Sequence, residues 1–350
     1  MASKKLTNEK LREIHSLMVE ARILEERLIR MNKAGEGYFW IGGPGEEAFG
    51  VPLGLLMRKG QGVQYDFLHS HYRGSPTVLA LGGQSIDAIR QMRAVDTDPY
   101  SGGRNFVNHY AIQKWNVVPV FSVIEAQYLQ SIGTAHAQRE KGCKGITIVT
   151  GGDAGTAEGD FASALVWSSR PAGYLPLLMI VTNNRYGIST PWDGQHGEIN
   201  VADRGKAFGI RTNVINGNDV WESWEALEEA MDYVRNERKP FLLEARVSRL
   251  YGHSSASGAP RWNEEDCIEV FEEKLLKQKV MTKDEMKSVH EKTLAKITEA
   301  YKQVQQEPFP KPESIYDHVW ADKDGDKGRD HFAAEIGVDF SQNPPPPAHH

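Results

Sequence analysis

Ile146-Thr147-Ile148-Val149-Thr150-Gly151-Gly152-Asp153-Ala154-Gly155, followed by Leu177-Leu178-Met179-Ile180-Val181-Thr182-Asn183-Asn184, decides the fold of this 350-residue chain. Each half is a short apolar run that ends in small or polar residues, the pattern of a strand buried on both faces of a parallel sheet. Between them, Ala157 to Trp167 has helical spacing and an acidic start, which completes a strand-turn-helix-strand unit. The class this predicts is α/β, with a doubly wound, mostly parallel sheet carrying helices on both faces. Asp153 and Asn184 are 31 positions apart (184 − 153). Each therefore stands just past a strand's carboxyl end, where open α/β sheets bind their ligands.

An acid and an amide on neighbouring loops can share one hard cation. Magnesium takes oxygen ligands in near-octahedral geometry and prefers a carboxylate or two together with phosphate oxygens. Asp153, the side-chain oxygen of Asn184 and a main-chain carbonyl such as that of Tyr186 would be the protein's ligands. Backbone amides in the turn after Asp153 favour anions. The combination points to a diphosphate group held through Mg2+. Taken singly, Asp153 reads better as a helix cap and Asn183-Asn184 as a turn, and only the pair points to a metal.

Together the two motifs resemble the thiamin-diphosphate signature. The longer text around them is similar to the alpha subunit of the decarboxylating component of 2-oxo-acid dehydrogenases, with the branched-chain type nearest. The resemblance is carried by Ala157-Glu158-Gly159-Asp160, Asn183-Asn184-Arg185-Tyr186-Gly187-Ile188-Ser189-Thr190-Pro191, Asn216-Gly217-Asn218-Asp219-Val220, Lys239-Pro240-Phe241-Leu242-Leu243-Glu244-Ala245 and Arg249-Leu250-Tyr251-Gly252-His253-Ser254. It runs from about residue 10 to about residue 305 in the family's order.

This resemblance implies a thiamin-diphosphate-binding fold, with thiamin diphosphate and Mg2+ as cofactors. It also implies oxidative decarboxylation of a 2-oxo acid, with acyl transfer to the lipoyl group of a separate acyltransferase component. Residue by residue, it puts Tyr72 and Arg73 on the diphosphate, and an arginine fork suits phosphate oxygens. Ser122 and Ile124 fall against the middle of the cofactor, and Asp153, Ala154, Gly155, Thr156 and Asn184 around the diphosphate and its metal. His253 matches a loop histidine that faces cofactor and substrate, and His109 a second one near the substrate. Both are the expected catalytic histidines, and His253 also counts among the cofactor contacts. Family members need a glutamate from a second, pyrimidine-binding half, for which 350 residues leave no space. A beta subunit in an α2β2 assembly is the expected partner.

Several departures qualify the match. Ala154 stands where the second glycine of the motif belongs, with Gly155 next to it. Thr182 replaces an arginine that reaches the diphosphate in the branched-chain type, so neutralising charge must come from elsewhere. Phe121 and Ala126 replace hydroxyl residues, and no potassium site is expected there. Glu125, an acid near the expected site, reads as a structural substitution, with a catalytic or ion-binding role as the alternative. Ser254, Ser255 and Ser257 keep serines where animal relatives are phosphorylated, but the acidic residue after them is missing, so kinase control does not follow.

Composition fits an ordinary globular enzyme subunit, with 40% hydrophobic and 25% charged residues. A net charge of −6 without a basic block argues against nucleic acid, and no apolar run is long enough to span a membrane. Cys143 and Cys267 are far apart, which suits free thiols in the cytoplasm. Four segments are expected: an N-terminal helical segment at 1–35 with Leu11, Ile14, Met18, Ala21, Leu24, Leu28 and Met31 at helical spacing, the α/β domain at 36–262, a helical pair at 263–308, and a poorly ordered proline-rich tail at 309–350. Thr282 with Glu285 has capping-box spacing at the start of the last helix. Pyruvate or acetoin remain as substrates of the same class. Two other readings stay open: a non-catalytic scaffold subunit with this fold, and a nicotinamide-binding protein built on Gly151 to Gly155. The last lacks an acidic residue at the end of the following strand.

Overall fold

The computed structural model describes residues 6–317. Contacts divide the chain after Pro308, and residues 312–316 beyond it form a short 3-10 turn. The tail expected over 309–350 lies outside the described residues from 318 onward.

Six parallel strands form the sheet: β1 Phe67–His69, β2 Val117–Val118, β3 Thr147–Gly152, β4 Leu177–Asn183, β7 Arg211–Asn216 and β8 Phe241–Arg246, in the order β2-β1-β3-β4-β8-β7. A separate hairpin, β5 Tyr186–Gly187 and β6 Thr190–Pro191, follows β4. All seven residues of β4 are buried, as its unbroken apolar text requires. Alternate residues serve opposite layers. Leu178 and Ile180 join Ile148, Leu243 and residues of α2 (Glu47–Leu56) and α8 (Val220–Glu237). Leu177, Met179 and Val181 join Val149 and residues of α5 (Ala126–Glu140) and α6 (Gly159–Ser168). The doubly wound arrangement read from the sequence is what the structure has.

A helical layer adds to these two. The stripe expected on α1 (Asn8–Lys33) is buried throughout, from Leu11 to Met31, in a core shared with α4 (Ser85–Arg93), α9 (Cys267–Lys277) and α10 (Lys283–Val304). Arg22 at its centre donates to Glu47 of α2 (2.7 Å) and to Asp266, the N-cap of α9 (2.6 Å). α9 and α10 both lie against α1, with Glu272 of α9 bonded to His290 of α10 at 3.0 Å. The capping box at Thr282 and Glu285 is formed. The helix read at Ala157 to Trp167 starts later, at Gly159, because Ala154–Ala157 closes a tight 3-10 turn first.

Strand order fixes where a ligand can sit. From β1 the chain moves outward to β2, then returns through α5 to β3 on the other side of β1. The direction of winding therefore reverses between β1 and β3, and the crevice at their carboxyl ends is the expected binding place. His71-Tyr72-Arg73 follows β1 and Asp153 follows β3.

Candidate active site

A cavity of about 300 Å3 opens at this switch point, lined by His71, Tyr72, Arg73, Ile124, Glu125 and Asp153 among others. Ala154, Gly155, Tyr186 and His253 complete the part of its wall that the sequence singled out. Ser122, His109, Thr156 and Asn184 do not line it. Asn184 faces an adjoining pocket of about 520 Å3 that Tyr186 shares.

Asp153 is 1% exposed, and neither carboxylate oxygen has a hydrogen-bond partner. Burial raises its pKa, and the Arg73 charge only partly opposes the rise. His196 Nε2 stands 4.0 Å from Oδ2. An ionised carboxylate buried without partners is costly unless a cation completes it. β3 and β4 pair with Gly152 opposite Thr182, so Asp153 and Asn184 leave adjacent strand ends. The Asn184 side-chain oxygen accepts from the Tyr186 amide at 3.1 Å, which uses one of its two lone pairs. Opposite Tyr186 in the hairpin is Pro191, which has no N–H to offer the Tyr186 carbonyl. All three candidate donors are oxygens, which would suit a hard divalent ion. Thr156 fixes the turn by donating its hydroxyl to the Asp153 carbonyl at 2.6 Å.

Arg73 is buried, with one guanidinium nitrogen 3.4 Å from Glu46 and another 3.2 Å from His253 Nδ1. A guanidinium only donates, so Nδ1 accepts and the proton of the neutral imidazole sits on Nε2. Burial, with the charges of Arg73 and Arg249, lowers the His253 pKa to about 4. His253 is therefore neutral near pH 7. Its loop is fastened by Ser255, whose amide donates to the Trp40 carbonyl at 2.8 Å, and by a capping box between Ser254 and Ser257. Those serines have structural work in the fold. His109 faces the Val107 carbonyl through Nδ1 at 3.1 Å and receives the Ser122 hydroxyl at Nε2 at 2.8 Å. The two residues are thus a pair beside the cavity.

Sequence reasoning missed several groups. His71 is buried against Tyr72, with ring centroids 3.7 Å apart, and burial holds it well below the ordinary histidine pKa. Burial pushes Glu46 up to about 7 even with Arg73 beside it. Arg249 lies over the Tyr186 and Trp262 rings at 4.8 and 4.0 Å and donates to the Ile188 carbonyl, while its Nε and one Nη are unpartnered. Its charge reaches both Arg73 and Asp153. Glu125 is 1% exposed with both oxygens unpartnered, and burial lifts its pKa to about 8. The charged residues next to named motifs were the available signal.

The sequence model of the dehydrogenase E1 component matches residues 15–313. The chain belongs to the dehydrogenase E1 component family. Over 325 residues it is 28% identical to the 2-oxoisovalerate dehydrogenase subunit alpha of Bacillus subtilis (strain 168), covering 90% of this chain and 97% of that one. It is 27% identical to the pyruvate dehydrogenase E1 component subunit alpha of the same organism, covering 87% of this chain and 81% of the relative. The human mitochondrial 2-oxoisovalerate dehydrogenase subunit alpha is 23% identical, with 90% and 71% covered. The likeness read from the motifs is borne out: this is an E1 alpha chain of the 2-oxo-acid dehydrogenase kind, a decarboxylating oxidoreductase component. Thiamin diphosphate is the cofactor of that family.

Proposed function

We propose that this chain is the cofactor-binding subunit of a 2-oxo-acid dehydrogenase that acts on a branched-chain 2-oxo acid and passes the acyl group to a lipoyl-bearing acyltransferase. The observation that carries the reading is Asp153, a buried carboxylate with no partner at the switch point of the sheet, beside Arg73. Asp153, Asn184 and the Tyr186 carbonyl would hold Mg2+ on the diphosphate. Arg73 and Tyr72 would receive phosphate oxygens. Arg249, with free donors next to the same cavity, would make up for the arginine that Thr182 replaces. When bound, thiamin diphosphate supplies the carbanion chemistry at the 2-oxo carbon. Neutral His253 would offer Nε2–H to the substrate carboxylate or the acyl acceptor, while Ser122 and His109 would support the cofactor's middle from the side.

A beta subunit in an α2β2 assembly would supply the pyrimidine-binding half. Three apolar side chains at the cavity's edge favour such a cover, since Phe121, Val123 and Ile124 are 39%, 69% and 45% exposed. Cytoplasmic residence is supported by two buried free cysteines, Cys143 and Cys267. No helix among the described residues is long and apolar enough to cross a membrane. The test is Asp153→Ala in the chain co-expressed with its beta subunit, with 2-oxo-acid decarboxylation followed by an artificial electron acceptor. Loss of turnover is expected, and turnover at the wild-type rate removes Asp153 from the site.

A further inference from the structure

Glu125 sits in an unusual place for an acid. It is the N-cap of α5 with φ +63, a left-handed conformation that non-glycine residues seldom adopt. Its carboxyl is wedged between Gly151 and Gly155, which flank Asp153 in the sequence. A Cβ on Gly155 would overlap Glu125 Oε1 and stand 2.6 Å from its Cγ and Cδ. A Cβ on Gly151 would overlap Oε2 and stand 2.9 Å from Cδ. The glycines thus make room for this side chain as well as for a ligand.

Asp153 and Glu125 line one cavity, and each is 1% exposed. By hydrogen-bond geometry their four oxygens have no partner, although main-chain N–H groups, of Gly152 towards Glu125 and of Asp153 and Asn184 towards Asp153, favour the ionised forms. Arg73, the guanidinium of the same wall, is turned to Glu46 and His253. Two acids buried this deeply in one cavity either hold a proton or take a positive charge beside them, and a bound cation releases that proton. A divalent ion bound through one or two carboxylates is the ordinary way to satisfy such a set, and added carboxylate charge tightens cation binding.

We propose that Glu125 is a second anionic group of the divalent-cation site, directly or through water, so that the cation is held by the chain before the diphosphate arrives. This rests on the cation role given to Asp153 above. A consequence is that the ion offsets the two carboxylates, while Arg73 and Arg249 meet the remaining diphosphate charge.

The test uses the chain in complex with its beta subunit, cofactor removed, and Mn2+ as the probe, with free Mn2+ read by electron paramagnetic resonance. Wild-type complex should retain Mn2+ without thiamin diphosphate. Glu125→Gln, which keeps the shape and removes the charge, should weaken that retention by about tenfold or more, and Glu125→Ala should do the same. Equal Mn2+ affinity in wild type and both variants overturns the proposal, as does a wild type that holds no Mn2+ until cofactor is added. Asp153→Ala separates the two levels. If it loses Mn2+ while Glu125→Gln does not, only the role of Glu125 falls. If it keeps both Mn2+ and cofactor, the cation site itself is elsewhere.

Discussion

Replacing Gly155 by alanine is a sharp test of how the Asp153 turn is built. Its φ lies outside the left-handed region, so the backbone accepts alanine, and in a folded turn alanine is favoured over glycine by about 0.4–1 kcal/mol through the unfolded chain. Against this, the new methyl group would overlap Glu125 Oε1 and approach two of its carbons to 2.6 Å. Overpacking of this kind destabilises by about 1–3 kcal/mol. Gly155→Ala should therefore lower stability in the wild-type background and leave it level or raise it in Glu125→Ala. The backbone gain cancels between the two backgrounds, so the coupling is expected to equal the overpacking cost, about 1–3 kcal/mol. The assay is thermal melting of the four proteins of the cycle at one concentration, in chelator and without cofactor, so that ligand linkage does not contribute. At about 2–4 °C per kcal/mol, the single change should lower Tm by several degrees. An identical shift in both backgrounds would refute the packing of Glu125 between the glycines.

Arg235 donates to both oxygens of buried Asp66, at 2.8 and 2.9 Å, and Arg235→Met should destabilise by about 3–5 kcal/mol in denaturant titration because the acid is left alone. Glu25 is raised from 4.5 to about 7, by burial first, with Ser75, Trp40 and Asn108 as hydrogen-bond donors. Its stabilisation is complete below pH 4.5 and is lost as pH rises through about 7, so Glu25→Gln should flatten the melting temperature across that window. Because His253 is held near 4, the kcat/KM profile should lack an acid limb at 6.5 from this residue; a limb there that disappears in His253→Ala would contradict its burial beside Arg73. Arg73→Lys keeps the charge but not the fork, and cofactor affinity by fluorescence quenching should fall by about tenfold or more.

Much of the fold was legible because β3 and β4 carry buried runs of apolar and β-branched residues, and because the stripe on α1 repeats from Leu11 to Met31, about six turns. β1 and β2 were not, since three and two residues carry no period to read. Yet those two strands create the reversal that locates the cavity. β7 was hidden for another reason: Arg211-Thr212-Asn213 at the sheet edge is partly solvated and mixes polar with apolar residues. In the site, Asp153, Arg73, Tyr72 and His253 could be found from motif spacing and resemblance, and the structure gathers them in one cavity. For Glu125 the sequence leaves a structural and an ion-binding reading open, because text cannot show whether a carboxyl has partners. Only the placement of Gly151 and Gly155 around it reveals that. Likewise, His253 could be read as neutral or charged until the contact with Arg73 fixed its proton on Nε2.

Calorimetric titration of thiamin diphosphate into the alpha–beta complex, with and without Mg2+, tests the central claim most directly. Saturable binding that requires Mg2+ and is absent in Asp153→Ala is the expected result. Binding of equal strength in chelator, or in the variant, would contradict a cation held by Asp153 as the link between this fold and its cofactor.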